Sequence, residues 1–107
     1  MDGLYKAEFK TPFGTGAAVF FLDGGKLRGG NSALYYVGSY EFTGTRFHAT
    51  MKTDRHTFDL NVASVFGMDQ LTVTLEGFVD GDTIAIDGVA DEVPDMQLHG
   101  KMIRLCD

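Results

Sequence analysis

Leu34-Tyr35-Tyr36-Val37-Gly38-Ser39-Tyr40-Glu41-Phe42, a turn at Thr43-Gly44-Thr45, and Arg46-Phe47-His48-Ala49-Thr50-Met51-Lys52-Thr53 together decide the fold. Before the turn, Leu34, Tyr36, Gly38, Tyr40 and Phe42 share one face and Tyr35, Val37, Ser39 and Glu41 the other. After it, Phe47, Ala49 and Met51 alternate with Arg46, His48, Thr50 and Lys52. Successive side chains of a strand leave opposite sides of a sheet, so this period of two marks two half-buried strands. A glycine-centred turn reverses the chain tightly, which makes them antiparallel neighbours.

Outward from this pair the same pattern recurs. Tyr5, Ala7 and Phe9 alternate with Lys6, Glu8 and Lys10, and Thr11-Pro12-Phe13-Gly14-Thr15-Gly16 is a turn in which proline removes a ladder donor. Ala17-Ala18-Val19-Phe20-Phe21-Leu22 is apolar on both faces, so both sides require cover. Val19, Phe20 and Phe21 are therefore the expected dimer contacts. Asp23-Gly24-Gly25-Lys26 is a hairpin turn into a short strand at Leu27 and Arg28, and Gly29-Gly30-Asn31-Ser32 reads as a bend or bulge.

Beyond Thr53 the alternation dissolves from Asp54 to Asp69, a connection longer than most and long enough for one short helix. It returns at Leu71, Val73 and Leu75. Asp80-Gly81-Asp82 makes the next hairpin, Ile84 and Ile86 point inward, Asp91 to Asp95 is an acidic loop containing Pro94, and Gln97 to Leu105 closes the chain. About eight short strands joined by tight turns predict an all-β domain, an antiparallel up-and-down barrel or a sandwich.

Composition bounds the function. At 107 residues the chain builds one core, and 44% hydrophobic with 22% charged residues is that of a folded globular domain. A net charge of -6 repels phosphate backbones and anionic lipids, so neither nucleic acid nor a membrane is an expected partner. The single Cys106 and an opening Met-Asp-Gly-Leu-Tyr-Lys without the basic and apolar segments of a secretory signal predict the reducing cytoplasm.

Motifs with a chemical mechanism are missing. His48, His56 and His99 lack metal-ligand spacing, Asp80, Asp82, Asp87 and Asp91 do not fit a calcium loop because Ile84 and Ala85 occupy liganding and glycine positions, and no serine sits in a nucleophile elbow. No catalytic residue, metal or cofactor is expected, and an enzyme whose site is assembled only in space is the least favoured reading. Two stretches suggest recognition. The inward aromatics Tyr36, Tyr40, Phe42 and Phe47 with Met51 read first as packed core and Thr53-Asp54-Arg55-His56-Thr57 as a solvated strand end; in the alternative the aromatics line a cavity for a small apolar ligand whose polar end Arg55 and His56 hold. That carrier or sensor reading requires a cavity of roughly 300 Å³ or more.

Asp2-Gly3-Leu4-Tyr5, a glycine-rich second strand, Asp23-Gly24-Gly25-Lys26, Gly29-Gly30-Asn31 and Leu34-Tyr35-Tyr36-Val37-Gly38 resemble, in order and spacing, the GrlR-like family of negative regulators of type III secretion and their bacterial relatives. The resemblance is clearest over residues 2–42. It implies a lipocalin-like (calycin) barrel of eight antiparallel strands, a homodimer, a cytoplasmic location, and repression by binding a protein partner. The family's acidic loop after the Tyr-x-Gly strand is replaced here by Phe42-Thr43-Gly44-Thr45-Arg46, so partner recognition does not transfer.

Overall fold

A computed structural model describes residues 2–58 and 69–107. Eight strands follow in chain order: β1 (Gly3–Thr11), β2 (Gly14–Asp23), β3 (Lys26–Gly30), β4 (Leu34–Thr43), β5 (Arg46–Arg55), β6 (Leu71–Asp80), β7 (Thr83–Ala90) and β8 (Val93–Cys106). Each pairs antiparallel with the next, and β8 pairs with β1, so the sheet closes into a barrel. This is the expected eight-stranded, lipocalin-like architecture.

The hairpins form where glycine supplies the dihedrals. Gly24 and Gly25 have φ of 58° and 85°, the two left-handed positions of a type I′ turn, while Gly44 and Gly81 take φ of 61° and 62° as first residues of two-residue turns. Such turns match the right-handed twist of the strands they join. Alternation then places one face of every strand inside, where Tyr5, Phe20, Leu22, Leu27, Phe47, Leu75, Ile84 and Met102 are fully buried.

Three details depart from the sequence reading. On β2 the two apolar faces separate: Phe20 is 1% exposed and belongs to the core, whereas Val19 and Phe21 point outward at 44% and 42%. Phe20 is thus filled in by the barrel itself and cannot be a surface contact. The Gly29-Gly30 bend is displaced, since β3 runs through both glycines and the chain turns only after Gly30, where Asn31 Oδ1 accepts the Ala33 and Leu34 N–H groups at 3.0 and 2.8 Å. The Asp91–Asp95 loop shrinks to a turn, because Ala90 pairs with Val93 and a register shift beside it lets Pro94 sit in β8 beyond the end of β1 pairing. The centre of the Asp54–Asp69 connection, with its expected short helix, lies outside the described residues.

Gly29 earns its place by close approach. It pairs with Phe20 on one side and Tyr36 on the other, and a Cβ there would lie 2.3 Å from the Val19 carbonyl oxygen. The two rings meet across it, 5.3 Å between centroids, covering a glycine with aromatic surface.

Candidate functional site

Barrel geometry divides the seven expected ligand residues among three places. Tyr36 and Tyr40 both point inward from β4, but four residues along a strand is about 13 Å. Tyr36 and Met51 therefore line a cavity at one end, with Phe9, Phe20, Leu34, Thr53 and Leu71, while Tyr40, Phe42 and Phe47 pack together at the other. The cavity holds about 30 Å³, room for a water or two rather than the several hundred Å³ of a small-molecule pocket. Side chains fill the rest of the interior. Tyr36 is 5% exposed, its hydroxyl has no hydrogen-bond partner among the described residues, and burial pushes its pKa up to about 12.

At the opposite end three rings form a plug. Phe42 and Phe47 lie 5.2 Å apart, and Tyr40 sits 5.6 Å from Phe42 and 6.2 Å from Phe47. The Tyr40 hydroxyl donates to the Asp2 carboxylate, whose second oxygen accepts the Gly24 N–H at 3.1 Å, and Arg104 Nε donates to the Asp2 carbonyl at 3.0 Å. Burial and then the bond to Asp2 raise the Tyr40 pKa to about 12, and the Tyr40 hydroxyl followed by the Gly24 N–H holds the Asp2 carboxyl below its usual range. This network fastens β1, β4, β8 and the β2–β3 turn into a seal.

Arg55 and His56 sit where the undescribed connection begins, and both are engaged. Arg55 makes a forked pair with Asp69, Nε to Oδ2 at 2.9 Å and Nη2 to Oδ1 at 3.0 Å, and the Thr53 hydroxyl donates to the Asp69 carbonyl at 2.6 Å. The fork ties the two ends of the connection together. The His56 N–H donates to the Ala33 carbonyl at 2.8 Å, and its Nε2 donates to the Asn31 carbonyl at 2.9 Å while Nδ1 accepts the Thr57 hydroxyl at 2.6 Å. In this arrangement the two residues anchor a loop.

Two features of the outer surface go beyond the sequence reading, which had only Val19 and Phe21 of the second among its expected contacts. The first is a row across five strands: Glu41 opposes His48, then Glu76, Asp87 and His99. His48 Nδ1 lies 2.6 Å from Glu76 and His99 Nδ1 2.5 Å from Asp87, so each histidine serves one of two opposed carboxylates. Among the described residues no three His, Cys, Asp or Glu side chains converge as a metal site. Strand register, invisible in sequence spacing, makes this row.

The second is apolar. On the outside of β2, β3 and β4, Val19 opposes Gly30 and then Tyr35, while Phe21 opposes Arg28 and then Val37. Val19, Phe21, Tyr35 and Val37 are all exposed large hydrophobics, and they frame Arg28, whose Nη1 donates to the Leu27 carbonyl at 2.9 Å. Aromatic residues with a central arginine are the composition of interface hot spots. The signal for Tyr35 and Val37 lay in the face of β4 assigned to solvent, where two large hydrophobics share every other position.

No model of a known protein family matches the chain, and no curated protein matches it.

Proposed function

We propose that this chain is a non-catalytic protein-binding module of the regulatory kind, acting in the cytoplasm by holding a partner protein against the outer face of β2, β3 and β4. The observation that carries the reading is the quartet Val19, Phe21, Tyr35 and Val37 around Arg28, contiguous apolar surface on a barrel whose own interior is already filled. The resemblance of residues 2–42 to the GrlR-like regulators and the unpaired, exposed Cys106 support the regulatory role and the compartment. A cavity of about 30 Å³ weighs against the carrier reading, which has no second observation in its favour.

The test pairs Phe21→Asp and Val37→Asp in the full chain. Both side chains are exposed, so the variant should keep its circular dichroism and cooperative melt. It should lose any self-association seen by analytical ultracentrifugation and any protein the wild type retains from cell extract. Identical sedimentation and an identical set of retained proteins would refute the assignment of this face.

A further inference from the structure

Charge on the barrel is sorted by strand. Residues 3–57, which hold β1 to β5, carry seven lysines and arginines against four carboxylates, whereas residues 69–107, which hold β6 to β8, carry two against nine. In a chain of net charge -6 the cations are thus gathered on β1 to β5, the part of the barrel that also holds the apolar quartet.

The register sharpens this. The outer row Leu4, Phe21, Arg28, Val37 and Lys52 holds two cations and no carboxylate, and Lys6 lies beside Val19 in the adjacent row. Among the described residues Lys6, Arg28 and Lys52 enter no ion pair, since those pairs engage His48, Arg55, His99 and Arg104. Asp54 and Glu92 lie in the groove beside Lys52, whereas Arg28 has no carboxylate in its row and favours an anion that arrives with apolar neighbours. Arg28 is the best placed to receive it, because its Nη1 is held by the Leu27 and Gly38 carbonyls at 2.9 and 3.4 Å, its Nε and Nη2 make no hydrogen bond among the described residues, and the exposed side chain stands between Phe21 and Val37 in its row.

The geometry points to an acidic segment of another protein as the occupant, laying an Asp or Glu carboxylate on Arg28 and apolar side chains on Phe21 and Val37. The inference rests on the reading of this face as protein-binding. A second copy docked face to face would bring Lys6, Arg28 and Lys52 against their own mates, and like charges across an interface are costly. A nucleic acid strand is held chiefly through its phosphates, and three cations with Asp54 beside them on a chain of net charge -6 offer it little.

The experiment selects 12-residue peptides from a random displayed library on the immobilised full chain, then measures binding of a synthesised winner to the wild type and to variants. Enriched peptides should carry a carboxylate flanked by aromatic or aliphatic residues. Their affinity should fall about tenfold or more with Arg28→Glu, fall less with Arg28→Lys, and weaken with added salt. Melting curves of both variants establish that the barrel is intact. Peptides lost with Phe21→Asp but free of carboxylates and indifferent to Arg28→Glu would overturn the acidic partner while leaving the protein-binding face standing. Failure to enrich any peptide, or peptides indifferent to Phe21→Asp, would remove both readings. A salt-sensitive dimer or longer oligomer abolished by Arg28→Glu would also overturn the inference, identifying a second copy as the occupant.

Discussion

Phe20 and Phe21 are neighbours in the chain with opposite fates, and replacing each by alanine tests the division between core and surface. Phe20 is 1% exposed and stacks on Tyr36, so its loss removes a full aromatic side chain and leaves a cavity, costing about 3–5 kcal/mol. Phe21 is 42% exposed, so at most about 100 Å² of ring is covered, an upper bound near 2.5 kcal/mol at about 25 cal/mol per Å². The true cost should be about 1.5–2 kcal/mol, because part of that cover persists in the denatured chain. The loss of strand propensity is common to both and cancels in the comparison. At about 5 °C per kcal/mol for a domain of this size, the melting temperature should drop by roughly 15–25 °C for Phe20→Ala and about 8–10 °C for Phe21→Ala. Denaturant unfolding and calorimetry on the purified chain measure both. Equal losses would mean that the outer face of β2 is covered in the isolated protein, and the assignment of that face as open binding surface would fail.

Tyr36 and Tyr40 hold their protons to about 12 when folded, above the ordinary phenol, so the stability they contribute is complete below pH of about 10 and lost as pH rises through the folded values. A Tyr36→Phe, Tyr40→Phe double variant should therefore lose the late phenolate step in an ultraviolet titration and show a shallower alkaline decline in melting temperature. Asp2 behaves in the opposite sense: its carboxyl is depressed on folding, so its contribution is present above the ordinary value of 3.8 and disappears as pH falls below it. Asp2→Asn should narrow the gap between melting temperatures at neutral and acid pH, and an unchanged gap would show that the seal does not depend on that charge. Gly38→Ala would place a Cβ 2.0 Å from the Thr50 carbonyl oxygen and 2.7 Å from Met51 Cα, both backbone atoms, and should destabilise by about 3 kcal/mol in denaturant titration.

The barrel was legible because two signals with separate causes agreed. Period-two apolar residues in β1, β4, β5 and β6 fixed which faces turn inward, and Gly24-Gly25, Gly44 and Gly81 fixed where the chain reverses. Where one signal was missing, the reading blurred. On Ala17 to Leu22 both faces are apolar, so alternation could not say that Phe20 goes in and Phe21 out. Asp91 to Asp95 is acidic around a proline, which local chemistry assigns to a loop, yet pairing with β7 draws Val93 into the sheet. The candidate ligand set is dispersed for a different reason. Inward orientation was correct for Tyr36, Tyr40, Phe42, Phe47 and Met51, but sharing an interior does not mean sharing a place, and strand rise sends them to opposite ends. Arg28 was invisible as a site because its meaning comes from Phe21 and Val37 on two other strands.

The seam between β1 and β8 joins residues near opposite ends of the chain, Leu4 with Cys106 and Lys10 with His99. Every other hairpin can assemble from neighbours in sequence, but this one must close a ring of nearly the whole polypeptide before any contact rewards it. Until β8 arrives, Tyr5 and Ala7 lack the neighbours Met102 and Leu98 that share their core, and β1 and β7 present bare edges. A chain whose β8 is not yet seated is an open ribbon with two bare strand edges, and vulnerability to misassembly is concentrated in that form.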